Sequence, residues 1–236
     1  MNKIKERNYI HYLRDDLNQS QKLTKGARTC KRIILATAEV LKTIKYKDLR
    51  VADICSHSGV STGTFYIYFK GKKEVTIEVL TSFRAMFKEQ MRLQVSEDPF
   101  DTIQSENMAF LTLASENPGL MSCFLEVGIE VPEVAKFHQK ANLEAYSTIV
   151  ERVLLERPGT NYDLTLSLVV ALGSMMDEVT RRLIIEETPF LNEAIDNLDA
   201  DLEAYCECLS IIWYRTLYGK NPQKVKTKMA KQFLKN

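Results

Sequence analysis

The stretch from Val51 to Lys73 constrains this chain more than any other. Ile54 and Ser58 share one face of a short helix, with Val51 one turn before Ile54. Gly59 ends that helix, because glycine enters the left-handed conformation without steric cost. Val60 plugs the corner, and Ser61 is placed to accept from the free amides that open a second helix. Two short helices joined by a three- or four-residue turn containing glycine form a helix-turn-helix.

The second helix is expected over roughly 62–69, and a rotation of about 100° per residue sorts its side chains. Phe65 and Phe69 fall together and anchor the helix inward. Gly63, Thr64, Ile67 and Tyr68 fall on the opposite side, which a helix-turn-helix presents to the major groove of DNA. Tyr66 lies at the flank, within reach of a phosphate, and Gly63 lets the backbone approach a duplex. Lys72 opens the following helix, where its charge and the free amides both favour phosphate. With Arg50, Ser61 and Thr62, these residues apart from the two phenylalanines form the candidate DNA-contacting set. Phosphate contacts fix the register and groove-facing side chains read bases.

Charge agrees with that division. The net charge of +1 hides a strong asymmetry. Residues 1–95 hold 19 Lys+Arg against 9 Asp+Glu, a net +10, whereas residues 96–218 hold 7 against 22, a net −15. Residues 219–236 hold 6 against none. A basic first third is the electrostatic footprint of a phosphate-binding surface, and the acidic middle repels DNA and serves another purpose.

Ile54, Gly59-Val60-Ser61, Gly63-Thr64-Phe65-Tyr66, Tyr68-Phe69 and Lys72 together resemble the DNA-binding domain of the tetracycline-repressor (TetR) family of transcriptional regulators. The resemblance implies an all-α chain: an N-terminal three-helix helix-turn-helix domain followed by a larger all-helical ligand-binding and dimerisation domain. The expected division is an extension over 1–21, the DNA-binding domain over 22–72, the helical domain over 73–218 and a basic tail over 219–236. Two positions depart from the family pattern. Lys45-Tyr46 stands where relatives carry a helix-ending glycine, and Arg50 stands where they carry a Thr or Ser cap, so Arg50 is expected at DNA instead of capping.

In the extension, Ile10, Leu13 and Leu17 have helical spacing, which suits an extra helix; a mobile arm with basic residues at the DNA backbone is the alternative. A helix is expected over 24–44, with Ile34, Ala38 and Leu41 inward and Lys25, Arg28, Lys31 and Arg32 crowding its start. From Lys72 to about 95, Val75, Val79, Phe83 and Met86/Phe87 line one side of a helix that links the two domains in the family. Proline and glycine punctuation then separates helices at about 99–116, 118–128, 131–156, 161–186 and 190–218.

The last two of these carry the candidate dimer interface. Leu168, Leu172, Met175 and Val179, flanked by Leu164, Ala171 and Leu183, lie on the first. Leu209, Ile212 and Trp213, flanked by Tyr205 and Thr216, lie on the second. A homodimer makes physical sense, since two reading helices multiply the specificity of one. Phe83, Phe87, Phe110, Met121, Phe124, Phe137, Tyr146 and Met176 are the candidates for an apolar ligand pocket, although core is the commoner role for any one of them.

Five scattered cysteines suit neutral, reduced side chains used as small hydrophobes. The three histidines include no metal-spaced pair, and there is neither a phosphate-cradling glycine loop nor a nucleophile elbow, so no enzyme, metal or cofactor is expected. No run reaches the roughly 18 apolar residues of a membrane helix and no signal peptide is visible, which gives a cytoplasmic expectation. The function implied is a dimeric regulator on a palindromic operator, a repressor in most of the family, released by a lipophilic ligand. Ligand binding would shift the linking helix and change the separation of reading heads that must match half-sites about 34 Å apart. The alternative is an architectural DNA-binding protein or adaptor without an effector.

Overall fold

The computed structural model describes residues 7–19, 23–92, 94–130 and 132–235; for 127–130, 132–134, 137, 138 and 141 it describes the backbone alone. All regular structure among these residues is helical: α1 (Tyr9–Gln19), α2 (Lys25–Leu41), α3 (Val51–Ser58), α4 (Thr62–Tyr68), α5 (Lys72–Arg92), α6 (Pro99–Glu116), α7 (Pro118–Glu130), α8 (Pro132–Glu156), α9 (Tyr162–Thr180), α10 (Pro189–Asp196), α11 (Leu202–Tyr218) and α12 (Lys228–Phe233). A 3₁₀ turn occupies Tyr46–Asp48 and a π-helical turn Arg181–Ile185. Two compact units result, Met1–Gln90 with Thr112–Val134 and Met91–Leu111 with Ala135–Asn236.

In the first unit, Thr24 caps α2 by accepting from the Ala27 N–H at 3.3 Å. Ile33, Ala36, Thr37, Ala38, Val40 and Leu41 are buried, and Ile34 only half so. The inward face is therefore broader than the stripe expected, and it turns on Ile33 in place of Ile34. Neighbours on more than one side of α2 make the difference, since α1 and α3 both pack against it. α2 stops at Leu41, three residues before the expected end, and Tyr46 folds inward in the 3₁₀ turn.

The helical reading of the extension holds for α1, and its first residue does most of the binding. Tyr9 is fully buried, edge-on to Phe83 at 5.4 Å between centroids, with its hydroxyl donating to the Val79 carbonyl at 3.2 Å. Burial pushes its phenol well above the usual range.

In the second unit α11 is the axis. Cys206, Cys208, Leu209, Ile211, Trp213, Tyr214 and Leu217 are all buried among residues of α6, α8 and α9. Each fully buried aliphatic side chain of this kind contributes about 1.5–3 kcal/mol relative to exposure. Burial pushes the Cys206 thiol up to about 12 and that of Cys208 up to about 11, so both stay neutral at physiological pH.

Two boundaries differ from expectation. The single helix expected over 190–218 is broken at Asn197–Asp201, where Asp199 takes φ +51° and Asp201 caps α11 by accepting from the Ala204 N–H at 2.8 Å. Three acidic or amide side chains in five residues favour caps and turns over a helix interior, and that signal was there to be read. The expected tail carries α12. Fully buried Glu207 accepts from the N–H groups of Lys226 at 2.7 Å and Thr227 at 2.8 Å, Ala230 is fully buried, and Arg215 lies over the Phe233 ring at 4.9 Å.

Candidate nucleic-acid interface

α3 ends as the sequence requires. Gly59 adopts φ +66°, ψ +30°, which lets the Val60 N–H reach the Cys55 carbonyl at 3.2 Å. The Arg32 guanidinium donates to the Ser58 carbonyl and so ties the turn to α2. Ser61 then caps α4, accepting from the Thr64 N–H at 3.1 Å. Seven residues are too few for an isolated helix to persist in water, so α4 depends on its cap and its anchors. The anchors are Phe65, fully buried, and Phe69, 7% exposed, with centroids 5.9 Å apart.

Those anchors leave Tyr66 56% and Ile67 77% exposed on the other side of α4. Thr62 and Gly63 are exposed beside them, whereas Thr64 and Tyr68 are half-buried. The Tyr68 hydroxyl lies beside Gly26 in the first turn of α2, which turns that side chain away from the open face. The face α4 offers is accordingly narrower than expected, centred on Tyr66 and Ile67. An exposed isoleucine on so short a helix adds nothing to the core; it suits contact with a partner, such as the thymine methyl in a major groove.

Lys72 and Arg50 both have work inside the chain. The Lys72 ammonium donates to the carbonyls of Tyr46 at 3.0 Å and Lys47 at 3.1 Å, and lies 4.8 Å from the Tyr46 ring centroid. Tyr46, one of the two departures from the family pattern, is thus the platform on which the start of α5 rests. An ammonium has three donors, so one remains for a phosphate. Arg50 is the N-cap residue of α3, and because a guanidinium cannot accept, Asp53 supplies the cap: its carboxylate takes the Arg50 N–H at 3.0 Å and the Arg50 side chain at 3.2 and 3.3 Å. The hydrogen bond from the Arg50 side chain holds the Asp53 carboxyl below the usual range. Of the basic cluster at the start of α2, Lys31 pairs with Asp16 and Arg32 holds the turn, while Lys25 and Arg28 are exposed.

Comparison with known proteins gives the same answer from outside. The family model for bacterial regulatory proteins of the tetR family matches residues 33–79, which covers α3 and α4 entirely. The chain is 29% identical over 201 residues to the HTH-type transcriptional regulator EthR of Mycobacterium tuberculosis (strain ATCC 25618 / H37Rv), covering 80% of this chain and 87% of that protein. Residues 33–79 of this chain are a TetR-family segment.

Over 65 residues the chain is 34% identical to the fatty acid metabolism regulator protein of Bacillus subtilis (strain 168), a match spanning 28% of this chain and only 34% of that protein. The solved structure of the fatty acid degradation regulator FadR from Bacillus halodurans shares the fold, with a TM-score of 0.61 at 18% identity over 82% of this chain and 97% of that one. With the matched segment and the regulator aligned over most of both chains, the function is that of a DNA-binding transcriptional regulator. Among the described residues no His, Cys, Asp or Glu group is arranged to hold a metal, and no helix is long and apolar enough to cross a membrane.

The pocket candidates divide between the two units, and the dimer candidates between buried and half-buried positions. Of the pocket candidates, Phe83, Phe87, Met121 and Phe124 belong to the first unit, where Phe83 sits 6.4 Å from both Phe87 and Phe124. Phe110, Tyr146 and Met176 pack in the second unit, and the side chain of Phe137 lies outside the described residues. Of the dimer candidates, Leu172, Leu209 and Trp213 are buried in the core of their own unit, while Leu168, Met175, Val179 and Ile212 are half-buried around it. The more open row on α9 is Leu164 and Val170 with Ala171 and Ser174, and of these Val170 and Ser174 stand outside the expected set.

Proposed function

We propose that this chain is a dimeric, sequence-specific repressor freed from a palindromic operator by a small lipophilic ligand. The observation that carries the DNA-reading part is α4: a short, capped helix anchored by Phe65 that holds Tyr66 and Ile67 in solvent. The open row of α9, from Leu164 to Ser174, supports the dimer, since apolar and small side chains let a second helix approach closely. The fatty acid regulators among the similar proteins support a lipophilic effector. Such a ligand needs only to bind better to a conformation with poorly spaced reading heads, and the population shifts accordingly.

The experiment is recovery of genomic DNA fragments by the purified protein, native against Tyr66→Ala/Ile67→Ala. These positions are exposed, so the variant keeps its fold. Recovery of a few fragments sharing a palindrome, lost in the variant, is the result expected. Equal recovery of unrelated fragments by both proteins would replace the specific regulator with an architectural DNA-binding protein. Affinity for the recovered fragment falls steeply with salt, and addition of long-chain acyl compounds releases it.

A further inference from the structure

We propose that α1 is a strap that sets the position of the helix-turn-helix against the corner between α6 and α7, with Asn117, Tyr9, Arg14 and Glu39 as positioning residues for DNA recognition. The inference rests on the DNA-binding reading and adds an element to it. α1 precedes the segment 33–79 that the family model matches. At 11 residues it is below the length at which an isolated helix persists, about 12–15 residues, so its ends must be held.

The first end is held at the corner. Asn117, 5% exposed, stands between α6 and α7 and accepts from the Tyr9 N–H through Oδ1 at 2.8 Å. Its Nδ2 donates to the carbonyls of Arg7 and Leu113, both at 2.8 Å. Asn8 adds a bond to the Glu116 carbonyl at 3.2 Å. One buried amide thus closes the corner onto the start of α1, and Tyr9 continues into α5 through the Val79 carbonyl.

The second half is held on the helix-turn-helix. The Arg14 guanidinium donates to Oε1 of Glu39 on α2 at 2.9 and 2.5 Å, and Asp16 pairs with Lys31 of the same helix. Glu39 faces two ways: its Oε2 lies 2.9 Å from Nε2 of His57 on α3. A single carboxylate, with its side chain 17% exposed, therefore joins the strap to both helices that support α4. The corner also touches α2 directly. A Cβ on Gly119 of α7 would lie 2.6 Å from the Lys42 Cα and 2.7 Å from the Leu41 carbonyl oxygen. Hydrogen bonds tolerate only a few tenths of an ångström, so displacement of the corner must either move α2 and α3 or break the clasp.

The test is the full-length variant Arg14→Gln/Asp16→Asn, which leaves the net charge unchanged and the Asn117 clasp intact. Its affinity for the fragment recovered in the pull-down is measured across salt concentrations, beside amide hydrogen exchange in α3. The strap predicts affinity lower by about fivefold, as expected for losing two modest ion pairs, faster exchange in α3 and an unchanged salt slope. Glu39→Gln, which weakens both of its links, is expected to match or exceed that loss. Unchanged affinity despite a loosened α1 would overturn the strap. So would a shallower slope, by about 0.9 per lost phosphate contact, because Arg14 would then be touching DNA. Failure of the native chain to retain any specific fragment would instead refute the DNA reading itself, and the strap with it.

Discussion

α4 and α11 solve opposite problems. α4 has seven residues and buries one of them, whereas α11 has seventeen and buries eleven. α11 is held by apolar area; α4 is held by a cap at one end, two phenylalanines underneath and polar ties in the segments around it. The difference shows what each is for. A helix surrounded by its own chain offers little to a partner. One fixed by its ends and one face can leave Tyr66 and Ile67 in water without losing its place.

The sharpest way to break that contrast is within α4 itself. Phe65→Ala empties a fully buried site and is expected to cost about 3–5 kcal/mol in denaturant unfolding. Ile67→Ala should change stability by no more than about 0.5 kcal/mol while lowering operator affinity about tenfold, in line with a lost base contact. If the two substitutions destabilised equally, α4 would be a core helix and its display role would fall.

Gly119→Ala comes next, because the added methyl meets the backbone of α2 and no flexible side chain can yield. Overpacking of this kind costs about 1–3 kcal/mol, and thermal melting should show it together with weakened DNA binding. The same substitution on an exposed helix face would be close to neutral.

For α11 the corresponding probe is polar. Glu207→Gln keeps the shape but replaces a carboxylate that caps α12, at an expected cost of about 1.5–3 kcal/mol. Hydrogen exchange should locate the loss in α12. Uniform acceleration through α11 would mean that Glu207 supports the whole core instead of one cap.

The smallest effect expected is at the cap of α3. The Asp53 carboxyl is held low by Arg50, so its stabilising contribution is complete above the ordinary aspartate range near pH 4 and is lost as pH falls through the depressed value. Acid unfolding of the native chain should therefore begin with a component that Asp53→Asn lacks. Coincident acid profiles would remove the cap from the account of how α3 is held.

Much of the recognition head was legible in the sequence. Gly59, Ser61, Phe65 and Phe69 are local instructions: each acts within a turn or two of itself, through backbone freedom, a cap or helical spacing. Punctuation by proline and glycine placed most of the later helices for the same reason. The internal partners of Lys72, Arg50 and Tyr68 were not legible. Lys72 was read as a phosphate ligand by its type and place, yet its ammonium rests on Tyr46, 26 residues away in sequence. Arg50 meets an acceptor three residues on, and Tyr68 leans towards Gly26.

The amino-acid sequence by itself determined the helices and the helix-turn-helix of this chain, because those features are written in short-range sterics and periodicity. The tertiary structure alone decided which polar groups are committed inside the protein and which remain for a partner. Asn117 is an ordinary turn residue in the sequence and a buried clasp in the fold. Trp213 reads as an interface residue and is buried in the core of its own unit. Periodicity gives a side chain's angle about its own helix, while burial depends on what distant segments bring to that angle.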